Sequence, residues 1–254
     1  MNIVLSGFLW VAGAAGLAGV TAYLVRRFGL DEGRPGNNDA AGQVFTIVAG
    51  LHVVLVAFVL ISLFDAVTAA RDSSYREADS LVATGWAADS LPEPARSRIR
   101  QLTSEYAATV VQREWPALRS GEQVPGGGDG QLEQLRQTIT GAQIEDNDWE
   151  VGRKTEAIDQ LWEVYQARQE RLNDSHGVGL GAVVWFVLVL GSVITILMPN
   201  MFGGTRLLTH VIIVSTLAGT ITLLLFAIYQ LQNPYGVGAR LEPDAFRWAL
   251  ERLA

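Results

Sequence analysis

The chain contains no cysteine among its 254 residues, and Lys154 is its only lysine beside 18 arginines. The absence of cysteine excludes disulfides, thiolate zinc sites, iron–sulfur clusters and cysteine nucleophiles. Schiff-base and phosphate-loop chemistry would depend on Lys154 alone. No HExxH, GxSxG or GxxxxGKS/T motif is present. We therefore expect no enzymatic activity.

Charge is scarce outside the middle of the chain. Residues 65–176 hold 12 of the 19 basic residues and 20 of the 26 acidic residues. The net charge of −7 argues against a nucleic-acid partner, because phosphate contacts need a basic surface. A charged middle between apolar ends predicts a membrane protein with a soluble insert.

Four apolar stretches are each long enough to cross the ~30 Å hydrocarbon core of a bilayer. They cover residues 3–25, 44–64, 178–198 and 207–231. Each must be a helix, because lipid offers no partner to backbone polar groups. We therefore predict an all-α membrane protein with four transmembrane helices, two before and two after a helical soluble insert.

This prediction divides the chain into four parts. Residues 1–64 and 177–232 carry two spans each, residues 65–176 form the insert, and residues 233–254 form an amphipathic tail. Apolar residues at helical spacing predict two helical hairpins within the insert. Glycine-rich residues 28–42 and 121–130 are predicted to be a mobile loop and a flexible linker.

Small residues in the first span predict close helix packing. Gly13, Gly16 and Gly19 follow one another at three-residue spacing, which lets another helix approach closely. The partner is either another span of the same chain or a second subunit.

The spans contain several candidates for lining an ion pathway, and most have a simpler explanation. His52 would also be explained by a hydrogen bond to a neighbouring helix, and span hydroxyls by bonds to their own backbone. A ring of Asp65 side chains in an oligomer would favour cations, although a solvated surface charge explains Asp65 as well. The candidates are Gln43, Thr46, His52, Phe64, Asp65, Thr216 and Thr220.

The densest acidic run is the one candidate for a bound cofactor, which would be calcium. Carboxylates supply the oxygen ligands that this ion prefers. An acidic first turn of a helix explains the same residues, because it complements the helix dipole. The run contains Glu145, Asp146, Asp148 and Glu150.

Four segments in a fixed order resemble the bestrophin-like family of four-span membrane proteins. They are residues 71–81 (RDSSYREADSL), 106–116 (YAATVVQREWP), 168–172 (RQERL) and 233–236 (NPYG). The insert residues identified with these segments are Glu77, Tyr106, Glu114, Trp115 and Arg168.

The resemblance implies a homo-oligomeric ion channel in the bacterial inner membrane, with lipid, other copies of the chain and inorganic ions as partners. It implies that the second span lines a central pore with a ring of apolar side chains. It also implies a cytoplasmic insert and cytoplasmic termini, an orientation that the arginines flanking the spans do not decide. The alternative function is a non-conducting, membrane-anchored interaction protein whose insert binds a partner.

Overall fold

The computed structural model describes residues 3–28, 35–124, 126–144, 147–175, 180–201 and 206–254. A π-helical turn, Val110–Glu114, joins α3 to α4, and a 3-10 turn, Met198–Met201, follows α7. The described residues contain no strand, which confirms the all-α prediction. The helices are α1 (Ile3–Arg27), α2 (Pro35–Ala88), α3 (Ala95–Thr109), α4 (Trp115–Ser120), α5 (Gly127–Gly141), α6 (Asp148–Ser175), α7 (Ala182–Leu197), α8 (Leu207–Leu231) and α9 (Asp244–Leu253).

Four of these helices, α1, α2, α7 and α8, are long and apolar enough to cross a membrane, which confirms the four predicted spans. The prediction of a loop over residues 28–42 is wrong for residues 35–42, because α2 begins at Pro35. Proline suits the first turn of a helix, where its missing N–H is not needed. Residues 29–34 of the same segment lie outside the described residues.

The chain divides into two compact units. Met1–Phe64 and Gly179–Gln232 form the first, which we call the membrane unit, and Asp65–Val178 with Asn233–Ala254 form the second, the insert unit. Helix α9 belongs to the insert unit, where Phe246, Ala249 and Leu253 are buried in the core. The predicted tail therefore completes the core of the insert unit.

In the membrane unit, α1 packs against α8 through small residues. A Cβ atom at Gly19 would lie 2.5 Å from the Ser215 Oγ, and one at Gly7 would lie 2.8 Å from the Phe226 ring. A Cβ atom at Gly13 or Gly16 would meet no described atom within 4 Å. Gly19 thus serves packing within the chain, whereas Gly13 and Gly16 leave an open surface on α1.

The transmembrane part of α2 packs on one side only. Val56, Val59 and Leu63 are buried together with Leu188 of α7 and Ile228 of α8. These α2 residues are spaced three and four positions apart, which places them on one face of the helix. The remaining faces of α2 are available to lipid or to other molecules.

The insert unit encloses an apolar core from α3, α5, α6, α9 and the end of α2. Trp115 of α4 is buried in this core, with its ring 5.2 Å from Tyr235 and 6.3 Å from Phe246 in edge-on contacts. Trp86 and Trp162, which lie among the apolar residues at helical spacing in the insert, are 50% and 62% exposed.

Local features shape both ends of α4 and the start of α5. Pro116 has no N–H, and in the preceding π-helical turn the Trp115 N–H donates to the Val110 carbonyl, five residues back. The glycine-rich stretch predicted as a linker is instead helical from Gly127 onward, as the first turn of α5. Gly121, with φ of 73°, ends α4 in the left-handed conformation that favours glycine.

Candidate functional site

The face of α2 that points away from the core of the membrane unit carries an uninterrupted apolar stripe. Its side chains are between 51% and 68% exposed. Alternating steps of three and four residues place them along one line of the helix, half a turn from Val56 and Val59. The stripe, which we call the α2 stripe, consists of Val44, Ile47, Leu51, Val54, Phe58 and Ile61.

Acidic residues continue the same spacing along α2. Asp65 follows Ile61 by four residues, and Asp72 and Asp79 follow Asp65 at intervals of seven. All three are exposed, and none forms an ion pair within the part of the chain that the structure describes. The sequence of α2 therefore passes from an apolar row to an acidic row in one register.

The other predicted pathway residues lie in several places. Gln43 and Thr46 are exposed near the start of α2, where the Thr46 hydroxyl donates to the Gly42 carbonyl at 2.9 Å. Phe64 is 57% exposed and directly precedes Asp65. Thr216 and Thr220 are exposed on α8 and line a shallow groove. The Thr220 hydroxyl donates to the Thr216 carbonyl at 3.0 Å.

His52 lies in the contact between α2 and α7, away from the α2 stripe. The Ser192 hydroxyl donates to the Leu188 carbonyl at 2.7 Å, so its oxygen accepts from His52 Nε2 at 3.1 Å. This arrangement places the ring proton of the neutral imidazole on Nε2. A Cβ atom at Gly191 would lie 2.5 Å from His52 Nδ1, so only glycine lets the ring approach α7 this closely.

The insert unit contains a buried network of charged side chains. Arg171 donates to both oxygens of Glu77, from Nε at 2.6 Å and from Nη2 at 3.0 Å. Its Nη2 also lies 2.7 Å from Glu114 Oε2, which accepts a second bond from Arg168 Nη1 at 2.8 Å. These four side chains are at most 3% exposed. Two carboxylates and two guanidiniums thus neutralise one another inside the unit.

Tyr106 joins the two halves of this network. Its hydroxyl donates to Glu77 Oε1 at 2.5 Å and accepts from Arg168 Nη1 at 3.1 Å. Burial and the charge of Glu77 raise the pKa of Tyr106 well above its ordinary value, so the phenol stays protonated. Burial also opposes the charge of Arg171, but Glu77 together with Tyr106 and Glu114 outweighs this effect and raises the pKa of Arg171.

The first turn of α5 closes over the network. A Cβ atom at Gly128 would lie 2.4 Å from Glu114 Oε1 and 2.9 Å from Arg168 Nη1. One residue later, Asp129 Oδ1 accepts from Arg168 Nε at 2.9 Å, while its own side chain is 67% exposed. Glycine at position 128 is therefore required for the helix to approach the buried charges.

The acidic run is only partly described. Glu145 and Asp146 lie outside the described residues, and Asp148 and Glu150 belong to the first turn of α6. The Asn147 side chain caps this helix by accepting from the Glu150 N–H at 2.8 Å. No group of acidic or histidine residues in the described ranges is arranged to hold a metal ion. The calcium site stays a prediction.

The sequence segments that carry the family resemblance meet in the insert unit. Glu77, Tyr106, Glu114 and Arg168 are all members of the buried network, and Trp115 packs beside it against Tyr235. Arg171 lies in the segment 168–172, but the roles of Arg171, Gly128 and Asp129 in the network were not predicted. Arg171 follows Arg168 by three residues, which places both on one face of α6. This spacing was the sequence signal that could have indicated a shared role for the two arginines.

These features define a four-span helical membrane protein whose insert unit is built around a buried ion-pair network. A family model described as the bestrophin-like domain matches residues 12–246, and the chain belongs to this family. No curated protein and no solved structure matches the chain.

Proposed function

We propose that the chain assembles into a homo-oligomeric ion channel in the bacterial inner membrane, with the α2 stripe lining the pathway. The observation that carries this proposal is the exposure of the stripe: Ile47, Leu51 and Phe58 are 63%, 67% and 68% exposed in the single chain. Membership of the bestrophin-like family supports it, because the resemblance implies a pore lined by the second span.

The geometry of the chain favours a pathway between subunits. Helices α7 and α8 of the same chain pack on one side of α2, and the α2 stripe faces away from them. Several copies that turn this face toward a common axis would surround the axis with apolar side chains. Apolar constrictions of this kind gate channels by excluding water.

The acidic residues that follow the stripe favour cations as the permeant ions. Rings of aspartate concentrate cations at the mouth of a pore, and Asp65 would form the first such ring. We propose that the insert and both termini are cytoplasmic, so that Asp65 lies at the cytoplasmic end of the apolar constriction. His52 has a packing role in this proposal, because it contacts Ser192 of α7.

The alternative function is a membrane-anchored interaction protein that conducts no ions. Exposed aromatic side chains of the insert unit favour it, since Trp149 and Trp162 are 68% and 62% exposed. The two functions differ in whether the purified protein carries current, which is directly measurable.

The test is ion current from the purified protein in planar bilayers. Phe58→Ala is expected to raise the unitary conductance by widening the constriction, and Asp65→Asn to lower the preference for cations. Phe8→Ala and Asp244→Asn are the controls, because the first removes an exposed phenylalanine ring and the second an exposed aspartate charge outside α2. Silence in all ionic conditions, from protein shown to be folded, would overturn the channel and favour the anchored interaction protein.

A further inference from the structure

The insert unit exposes four of its five tryptophans. Only Trp115 is buried, at 3% exposure. Tryptophan and arginine are enriched at the centres of protein interfaces, and an exposed aromatic patch marks an interaction surface. The exposed tryptophans, with their exposed fractions, are Trp86 (50%), Trp149 (68%), Trp162 (62%) and Trp248 (38%).

Three of these tryptophans form one surface with two arginines. The Arg252 guanidinium lies 3.4 Å from the centre of the Trp248 ring and 5.6 Å from that of Trp86. Arg153 lies 5.9 Å from the centre of the Trp149 ring, and its Nη2 is 3.4 Å from the Trp86 carbonyl oxygen. We call these five residues the cationic patch.

The fourth exposed tryptophan belongs to a surface of opposite charge. Trp162 follows Arg153 by nine residues on α6, which places it on the opposite side of that helix. Ile158 lies beside it, and Asp159 and Glu163 flank it. Neither acid forms an ion pair among the described residues. We call these four residues the acidic row.

We propose that the acidic row of one copy docks on the cationic patch of a second copy. The occupant of each surface is then supplied by the same chain. Arg153 already pairs with Glu156, so Arg252, which forms no ion pair among the described residues, supplies the charge that complements the acidic row. Two acidic rows facing each other would repel, so a self-matched contact is disfavoured. Two different surfaces in contact make a head-to-tail interface, which closes into a ring when the rotation between copies allows it.

This inference rests on the proposed homo-oligomer and specifies its contact in the insert unit. Each copy would use opposite sides of α6 for its two neighbours. Trp162 would be the apolar anchor on one side, and the Arg252–Trp248 stack would receive it on the other. An anchor of this kind is worth about 2 kcal/mol, so Trp162→Ala is expected to raise the dissociation constant of the oligomer about 30-fold.

The absence of cysteine makes the contact testable by cross-linking. Thr155→Cys introduces a cysteine at the acidic row, seven residues before Trp162, and Glu251→Cys introduces one at the cationic patch, beside Arg252. Neither substitution changes a tryptophan of the two surfaces. The full chain in proteoliposomes is treated with a short bifunctional maleimide. We expect cross-links when the two variants are mixed and none when either variant is used alone.

Charge reversal supplies the second measurement. Asp159→Arg with Glu163→Arg is expected to lower the cross-linked yield of the mixture, and Arg252→Glu on the other variant to restore it. Glu105→Arg, an exposed acid on α3, is the matched control and should leave the yield unchanged.

Native mass spectrometry of the same samples separates the two possible failures. Cross-links within the Thr155→Cys variant alone would overturn this interface, and so would an intact oligomer with no cross-links in the mixture of the two variants. Either result would still be consistent with a homo-oligomer. A monomer would overturn both the interface and the oligomeric channel.

Discussion

The Glu77 carboxylate and the Arg171 guanidinium form a two-bond ion pair between α2 and α6, with both side chains fully buried. One position earlier on each helix, Arg76 and Glu170 form a second pair between the same helices, with side chains 55% and 48% exposed. The chain thus offers a buried and an exposed ion pair in nearly the same place, which isolates the effect of burial.

Removing one partner of the buried pair is expected to destabilise the protein strongly. Arg171→Met leaves the buried Glu77 carboxylate without its cationic partner, which costs about 3–5 kcal/mol. Arg76→Met removes only an exposed partner, and its cost is at most about 1 kcal/mol. Both losses of unfolding free energy are measured by urea unfolding of the protein in detergent micelles. Equal losses for the two variants would contradict the central role of the network.

Gly128 is expected to tolerate no side chain. Gly128→Ala pushes a methyl group into Glu114 and Arg168 and is expected to cost about 1–3 kcal/mol. Gly130→Ala, in the same turn of α5, meets no described atom within 4 Å and should stabilise the helix by up to about 1 kcal/mol. Thermal unfolding of the two variants should therefore shift in opposite directions. If both variants shift the unfolding temperature in the same direction, the first turn of α5 does not pack against the network.

The buried tyrosine predicts a loss of stability in alkaline solution. The unfolded chain releases the Tyr106 proton near pH 10, whereas the folded state holds it, because burial raises its pKa. This stabilisation is complete below pH 10 and is lost as the pH rises, with a slope of about 1.4 kcal/mol per pH unit. Tyr106→Phe should remove that slope while also lowering stability at neutral pH. If the unaltered protein and Tyr106→Phe lose stability with the same slope between about pH 10 and about pH 11, Tyr106 ionises in the folded state and the prediction is wrong.

The contact of His52 with α7 is expected to matter for packing and not for permeation. Gly191→Ala forces its methyl group against the imidazole and should cost about 1–3 kcal/mol, whereas the methyl group of Gly50→Ala meets no described atom within 4 Å. Ser192→Ala, which removes the hydrogen bond, should cost only about 0.6 kcal/mol. All three should leave ion selectivity unchanged. A changed ion selectivity in Ser192→Ala would indicate that His52 lines the ion pathway.

The spans and the helical nature of the insert were predictable, because apolar length and helical spacing are local properties of the sequence. The network was not, because Arg171 contacts Glu77 and Glu114 at separations of 94 and 57 residues. An arginine on an amphipathic helix indicates a solvated charge unless its distant partners are known. The exposure of Trp162 was not predictable for a related reason. The spacing of apolar residues along α6 does not show which of its apolar side chains other helices cover.

The central claim is that the α2 stripe faces an ion pathway, and cysteine accessibility tests it most directly. Because the native chain has no cysteine, single cysteines at Val54, Phe58 and Ile61 can be compared with cysteines at the buried Val56, Val59 and Leu63. A charged thiosulfonate reagent is added while bilayer current is recorded. We predict that modification blocks current at the first three positions and leaves it unchanged at the other three. Block at the buried positions, or no block along the stripe, would contradict the proposal.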